Sequence, residues 1–179
     1  LEDRKFYHPI TPEYRPYRSL TNTPYPVVGA SPWQIVGAST GVTMITNRPF
    51  VGRHSPQVQA GSGLRQLDLG LTAGKTYTGS VWLRADPARG PASITLTWGA
   101  DQEAGDSVTV EDLGATYRQY PIEFTADRTT DKAWVELRVN SGVVLVGPAS
   151  LMPGDHVEGM RADTLALLKQ LGGTMYRWP

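Results

Sequence analysis

Tyr77-Thr78-Gly79-Ser80-Val81-Trp82-Leu83-Arg84 sets Val81 and Leu83 against Trp82 and Arg84 with a period of two residues. That period belongs to a β-strand with one face on a core, because successive side chains of a strand point to opposite sides. The stretch runs into Asp86-Pro87-Ala88-Arg89-Gly90-Pro91, which has the composition of a turn. The pattern recurs on both sides of it. Residues 64–69, 93–98, 120–125, 134–139 and 143–146 are short strand-like runs separated by Gly, Pro and Asp turns. Residues 27–153 are therefore expected to form an all-β domain, a jelly-roll β-sandwich.

Alternation assigns faces as well as strands. Val81, Leu83, Ile94, Leu96, Ile122, Phe124, Val135, Leu137 and Val139 are expected inside. Trp82 and Arg84 take the opposite face of one strand, and Trp134, Glu136 and Arg138 that of another. Gln57 and Gln59 alternate against Val58 in the same way. Two tryptophans turned away from a core are an unusual use of large apolar side chains. An indole matches the C–H face of a pyranose, while Arg, Glu and Gln offer planar partners to its hydroxyls. Trp82, Arg84, Trp134, Glu136 and Arg138 are thus the candidate carbohydrate-binding residues. The alternative is that a loop or another segment covers both indoles, so that they only pack.

The flanks differ from the middle. Residues 1–26 carry Phe6, Tyr7, Tyr14, Tyr17 and Tyr25 among Pro9, Pro12, Pro16, Pro24 and Pro26, which forbids a long helix and predicts an extended lead over a neighbouring surface. Met160, Thr164, Leu167, Leu168 and Leu171 recur at helical spacing, Gly172-Gly173 ends the helix, and Thr174-Met175-Tyr176-Arg177-Trp178 has strand composition. A helix followed by a strand is half of a repeating β/α unit. Residues 154–179 are accordingly expected to belong to a second architecture, and the chain to be a piece of a longer protein.

Composition excludes several function classes. The 179 residues hold 17 Lys and Arg against 17 Asp and Glu, so nothing electrostatic favours nucleic acid or an anionic membrane. There is no cysteine, hence no disulfide framework, thiol nucleophile or thiolate metal site. No apolar run approaches the roughly 20 residues that span a bilayer. His8, His54 and His156 lack metal-ligand spacing. Asp101, Glu103 and Asp106 are expected in a solvated loop without the regular oxygen spacing of a calcium site. No Gly-x-Ser-x-Gly elbow or phosphate-binding glycine loop occurs.

Two resemblances join these readings. Leu1-Glu2-Asp3-Arg4-Lys5-Phe6-Tyr7 resembles the segment after the first barrel strand of family 51 glycoside hydrolases, the α-L-arabinofuranosidases. Gly159-Met160-Arg161-Ala162-Asp163 through Tyr176-Arg177-Trp178-Pro179 resembles their first barrel helix and second strand. The middle, especially 80–86 and 144–153, is similar to carbohydrate-binding modules of the family 4/9 type. The resemblance implies a binding-type jelly roll inserted after the first strand of a (β/α)8 barrel, on the face where such barrels keep their active sites. Its partners would be a polysaccharide or oligosaccharide and the rest of the barrel, in an extracellular or periplasmic setting, with a cytoplasmic one also compatible.

Two departures from the family patterns narrow the implied function. Gly147-Pro148-Ala149 stands where the modules often carry acidic residues near a structural calcium, so no cofactor is assigned. Retaining glycosidases need two carboxylates about 5–5.5 Å apart, and no glutamate here occupies either family 51 motif. No catalytic residue is therefore expected within the chain. The parent activity implied is hydrolysis of plant-cell-wall polysaccharide, of arabinofuranosidase, endo-glucanase or xylanase type. The competing possibility is a non-binding structural sandwich that walls a cleft or mediates oligomer contacts.

Overall fold

The computed structural model describes residues 1–13 and 30–172, together with the backbone of two short strands, β1 (Tyr17–Arg18) and β2 (Val27–Val28), which pair antiparallel. The body follows as β3 (Trp33–Val36), β4 (Val42–Ile45), β5 (Ser55–Gln59), β6 (Gly63–Leu71), β7 (Thr76–Ala85), β8 (Ser93–Ala100), β9 (Glu103–Val110), β10 (Arg118–Thr125), β11 (Thr130–Ser141) and β12 (Val143–Pro153), then helix α1 (Ala162–Gln170). Two five-stranded antiparallel sheets form the sandwich. The first has the order β10-β7-β12-β5-β4 and the second β3-β6-β11-β8-β9.

The inward residues are those the alternation assigns. Val81, Leu83 and Ile94 are fully buried, and Leu96, Ile122, Phe124, Val135, Leu137 and Val139 are all in the core. Trp98 and Phe124 stack at 4.5 Å between ring centroids, and Phe124 stacks in turn on Tyr77 at 5.4 Å. Aromatic pairs at such spacing add to the stabilisation that area burial alone supplies.

One segment expected as an acidic loop is a strand. Glu103 and Asp106 lie in β9, which among the described residues pairs only with β8 and is exposed along almost its whole length. Gly, Asp and Glu are poor strand formers in general but suit an edge, where charge discourages pairing with other chains. Among the described residues no group of three carboxylate or histidine side chains is gathered as a metal ion would require.

Residues 1–10, which precede the expected domain, contribute Phe6 and Ile10 to its core. Among the described residues the β5 side of β12 has no strand partner beyond Leu145, and there Ala149 donates its N–H to the Arg4 carbonyl at 2.9 Å. Gln66 of the second sheet accepts the Glu2 N–H at 2.7 Å and donates back to the Glu2 carbonyl at 3.0 Å. The segment thus bridges both sheets. Phe6 enters between them, 5.3 Å from the Trp33 ring.

Helix α1 has no fully buried residue, and Leu167 and Leu171 are exposed. The side that is partly covered carries Ala162, Leu165 and Leu168, one step round from the stripe expected from spacing. The strand expected at 174–178 lies outside the described residues. Asp163 accepts the Thr164 N–H at 2.7 Å and pairs with Arg161, which lowers its carboxyl to about 2. A depressed carboxylate stabilises the ionised state, so its support for the first turn is present above the ordinary value of 3.8 and lost as pH falls towards 2. Carbon-13 shifts of residues 162–165 should lose helical character across that window. Shifts that stay constant down to pH 2 would remove the carboxylate from any part in starting the helix.

Candidate functional site

The five candidate residues do not share a surface. Trp82 and Arg84 stand on β7 in the first sheet, whereas Trp134, Glu136 and Arg138 stand on β11 in the second. Each set points away from the core, so the two sets occupy opposite outer surfaces of the sandwich. Parity along a strand places a side chain away from the core. It does not say which sheet the strand joins.

On the second sheet the expectation of an exposed indole platform is corrected. Trp134 is 8% exposed. It lies across Gly99, which provides no side chain to hold it off, and the Arg65 guanidinium sits over its ring at 4.6 Å. Glu136 is also buried, 6% exposed, and accepts from Arg65 Nε at 2.8 Å and Arg138 Nε at 2.7 Å. Arg65 Nη2 pairs with the same carboxylate. Arg138 donates further to the Gly61 carbonyl at 3.4 Å. A desolvated carboxylate needs such partners, and three of its roughly four acceptor positions are taken by them. Arg65 and Arg138 thus hold Trp134 and Glu136 in a clasp on the outer face of the second sheet.

The first sheet differs. Trp82 is half-buried. Phe50, on the 46–54 loop, packs on it at 5.0 Å with the rings tilted by 48°. Phe50 also meets Tyr117 edge-on at 5.0 Å, and the Arg84 guanidinium lies 5.2 Å from the Tyr117 ring. Gly147 seats the group, since a Cβ there would stand 2.9 Å from Trp82 Cβ and 3.1 Å from the Phe50 ring. Trp82 is thereby braced from one side.

Two residues back along β7, on the same face, is Ser80, and across the β7–β10 ladder from Trp82 is Gln119. Gln119 Nε2 donates to Ser80 Oγ at 2.8 Å. Both line a groove of about 530 Å³ that continues past Thr78, Ser150 and Met152 to Arg4 and His156. Arg4 and His156 bring the two flanks of the sandwich to one place, before β3 and after β12. Ser80 and Gln119 share Trp82's parity and follow from extending it. Arg4, Ser150 and His156 carried no signal in the sequence, because a single small polar or basic residue has no pattern of its own.

No family model matches the chain, and no curated protein does. Solved structures do. The carbohydrate-binding module TmCBM61, determined in complex with β-1,4-galactotriose, superposes with a TM-score of 0.52 at 18% identity, covering 69% of this chain and 89% of that one. The CBM22-1 xylan-binding domain of Paenibacillus barcinonensis Xyn10C gives 0.53 at 13% identity, covering 70% and 87%. The CBM22-1–GH10 modules of Clostridium thermocellum Xyn10B, complexed with xylohexaose, give 0.55 at 15%, covering 73% of this chain and 28% of that one. At these identities the likeness establishes the fold. The sandwich is built as carbohydrate-binding modules are built.

Proposed function

We propose that the sandwich is a carbohydrate-binding module that holds a polysaccharide or oligosaccharide along the outer face of the first sheet. The observation that carries this reading is a half-buried indole, braced by Phe50, beside a groove of hydroxyl, amide, guanidinium and imidazole groups. Trp82 would stack on a sugar ring. Ser80, Gln119, Ser150, Arg4 and His156 would take hydroxyls, and Arg84 would act through Tyr117 by fixing the aromatic cluster. That the structural relatives include modules bound to galactotriose and xylohexaose supports the reading. We further infer from the flanking motifs that the module serves a retaining glycoside hydrolase of the arabinofuranosidase, endo-glucanase or xylanase type, whose catalytic glutamates lie outside residues 1–179.

Affinity electrophoresis and calorimetry on β-1,4-galactan, xylan and arabinoxylan test the binding. Loss of one stacking platform costs about 1–3 kcal/mol where aromatic stacking has been measured on bases, or roughly 5- to 150-fold in affinity. Trp82→Ala should lose that much while remaining cooperatively folded, at a lower melting temperature because the Phe50 packing is lost. Thr95→Ala, on the opposite outer face, should bind as wild type. Absence of retardation of the wild-type protein on every glycan would leave the structural reading. The Phe50–Trp82 and Arg84–Tyr117 contacts favour that second reading, since they occupy part of the surface a ligand would need.

A further inference from the structure

Apart from the sheet groove, the sandwich has a cleft between residues 5–9 and 51–54, with a volume of about 750 Å³, within the range of small-molecule sites. Its apolar walls are Phe6, Tyr7, Pro9 and Val51, and its polar groups are Lys5, His8, Arg53 and His54. Tyr7 is 79% exposed, and its ring meets that of His8 edge-on at 5.1 Å. A large aromatic so exposed is ordinarily mobile, but this one stands on a fixed backbone. The Asp3 carboxylate accepts the N–H of Tyr7 at 2.6 Å and that of His8 at 3.1 Å. Phe6 is anchored in the core while its backbone takes φ 55°, a left-handed value that a bulky residue rarely adopts. Backbone held in such a state is over-determined by its surroundings and is common at ligand clamps.

The charged side chains that line the cleft are cations. Lys5 and Arg53 make no ion pair among the described residues, and no acidic side chain lines the cleft with them. The Asp3 carboxylate, which acts on His8 and His54, is partly buried and engaged by its own chain's N–H groups. His54 has Nε2 shielded from water with no partner among the described residues. Such a nitrogen is left in need of a partner.

We propose that this cleft binds a hexuronic acid residue, with Tyr7 against the sugar ring and Lys5 and Arg53 on its carboxylate. A carboxylate beside a flat C–H face is the chemistry that two unpaired cations next to an exposed ring complement. Paired with a guanidinium it forms the stronger, charge-assisted class of hydrogen bond. The site stands on its own and does not depend on the sheet groove holding sugar.

The test compares methyl β-D-glucuronide with methyl β-D-glucoside, which differ only in the carboxylate, by titration of the whole chain followed by NMR. The glucuronide should bind about tenfold more tightly, equivalent to one charge-assisted contact, and should shift the Tyr7 and His54 resonances. Arg53→Gln and Lys5→Gln should each reduce that preference, and the double variant should abolish it. Trp82→Ala should leave it intact, which separates this site from the sheet groove. Equal binding of the two glycosides would overturn the proposal, as would no binding of either. A preference that survives the double variant, or benzoate binding as well as the glucuronide does, would overturn it equally.

Discussion

Phe6→Ala should destabilise the protein by about 3–5 kcal/mol, the range for emptying a buried aromatic site. The ring is 2% exposed and tilts against Trp33, itself 1% exposed, so its removal empties a packed site. Trp33 is tethered at both ends. Its Nε1 donates to the Asp3 carbonyl at 3.4 Å and its backbone N–H to Ser31 Oγ at 3.2 Å, which limits collapse into the void. Alanine also keeps the positive φ at position 6, so the substitution removes packing without relieving strain. In a chain of this size each kcal/mol moves the melting temperature by about 2–4 °C, and a drop on the order of 10 °C is expected by calorimetry. Tyr7→Ala, one residue along but 79% exposed, should change stability by less than about 0.5 kcal/mol. If Phe6→Ala also falls within that margin, residues 1–10 are an appendage and not part of the cooperative unit.

That contrast explains what was legible in the sequence. Val81, Leu83, Leu96 and Leu137 are legible because each belongs to a strand with one face on the core, and burial of one face writes a period of two into the chain. Phe6 is invisible to the same logic. It sits in a proline-rich run with no period, and what buries it is a hydrogen bond from Ala149 and an amide pair with Gln66, both far along the chain. β3 and β4, four residues each, are too short to show a period, and β9 carries charge where a strand is expected to carry apolar residues. For the candidate site the limit is different. Trp82 and Trp134 share one alternation, Trp-x-charged against apolar neighbours, and that alternation does not say which sheet each strand joins. β7 joins β10 and β12, whereas β11 joins β6 and β8. Pairing between distant strands is decided by the summed register of both sheets, which no window of residues contains. The consequence is chemical as well as geometric, because the same Trp-x-charged pattern becomes a braced indole beside a groove on one sheet and a sealed clasp on the other.

The clasp should be sensitive to an added atom, as the Phe6 site is to a removed ring. Gly99→Ala is expected to destabilise by about 2–3 kcal/mol, the upper part of the range for overpacking. A Cβ on Gly99 would fall far inside contact distance of both the Trp134 ring and the Glu103 carbonyl. The first obstacle is a rigid indole wedged under Arg65. The second is backbone, at the register shift where β9 bends against β8. Glycine in a strand commonly marks such a shift, because the bulged partner needs the space. Neither neighbour has a flexible end that swings away, so the indole must lift, and lifting it takes the Arg65 guanidinium off its face and exposes the Glu136 carboxylate to water. The near-ultraviolet spectrum should change and the tryptophan emission shift to longer wavelength. In Trp134→Ala the substitution Gly99→Ala should cost measurably less, since the indole obstacle is gone, yet not nothing, because the Glu103 carbonyl remains. A Gly99→Ala protein with unchanged emission and a stability within about 0.5 kcal/mol of wild type would contradict this packing and return Trp134 to the exposed surface that its parity alone predicts.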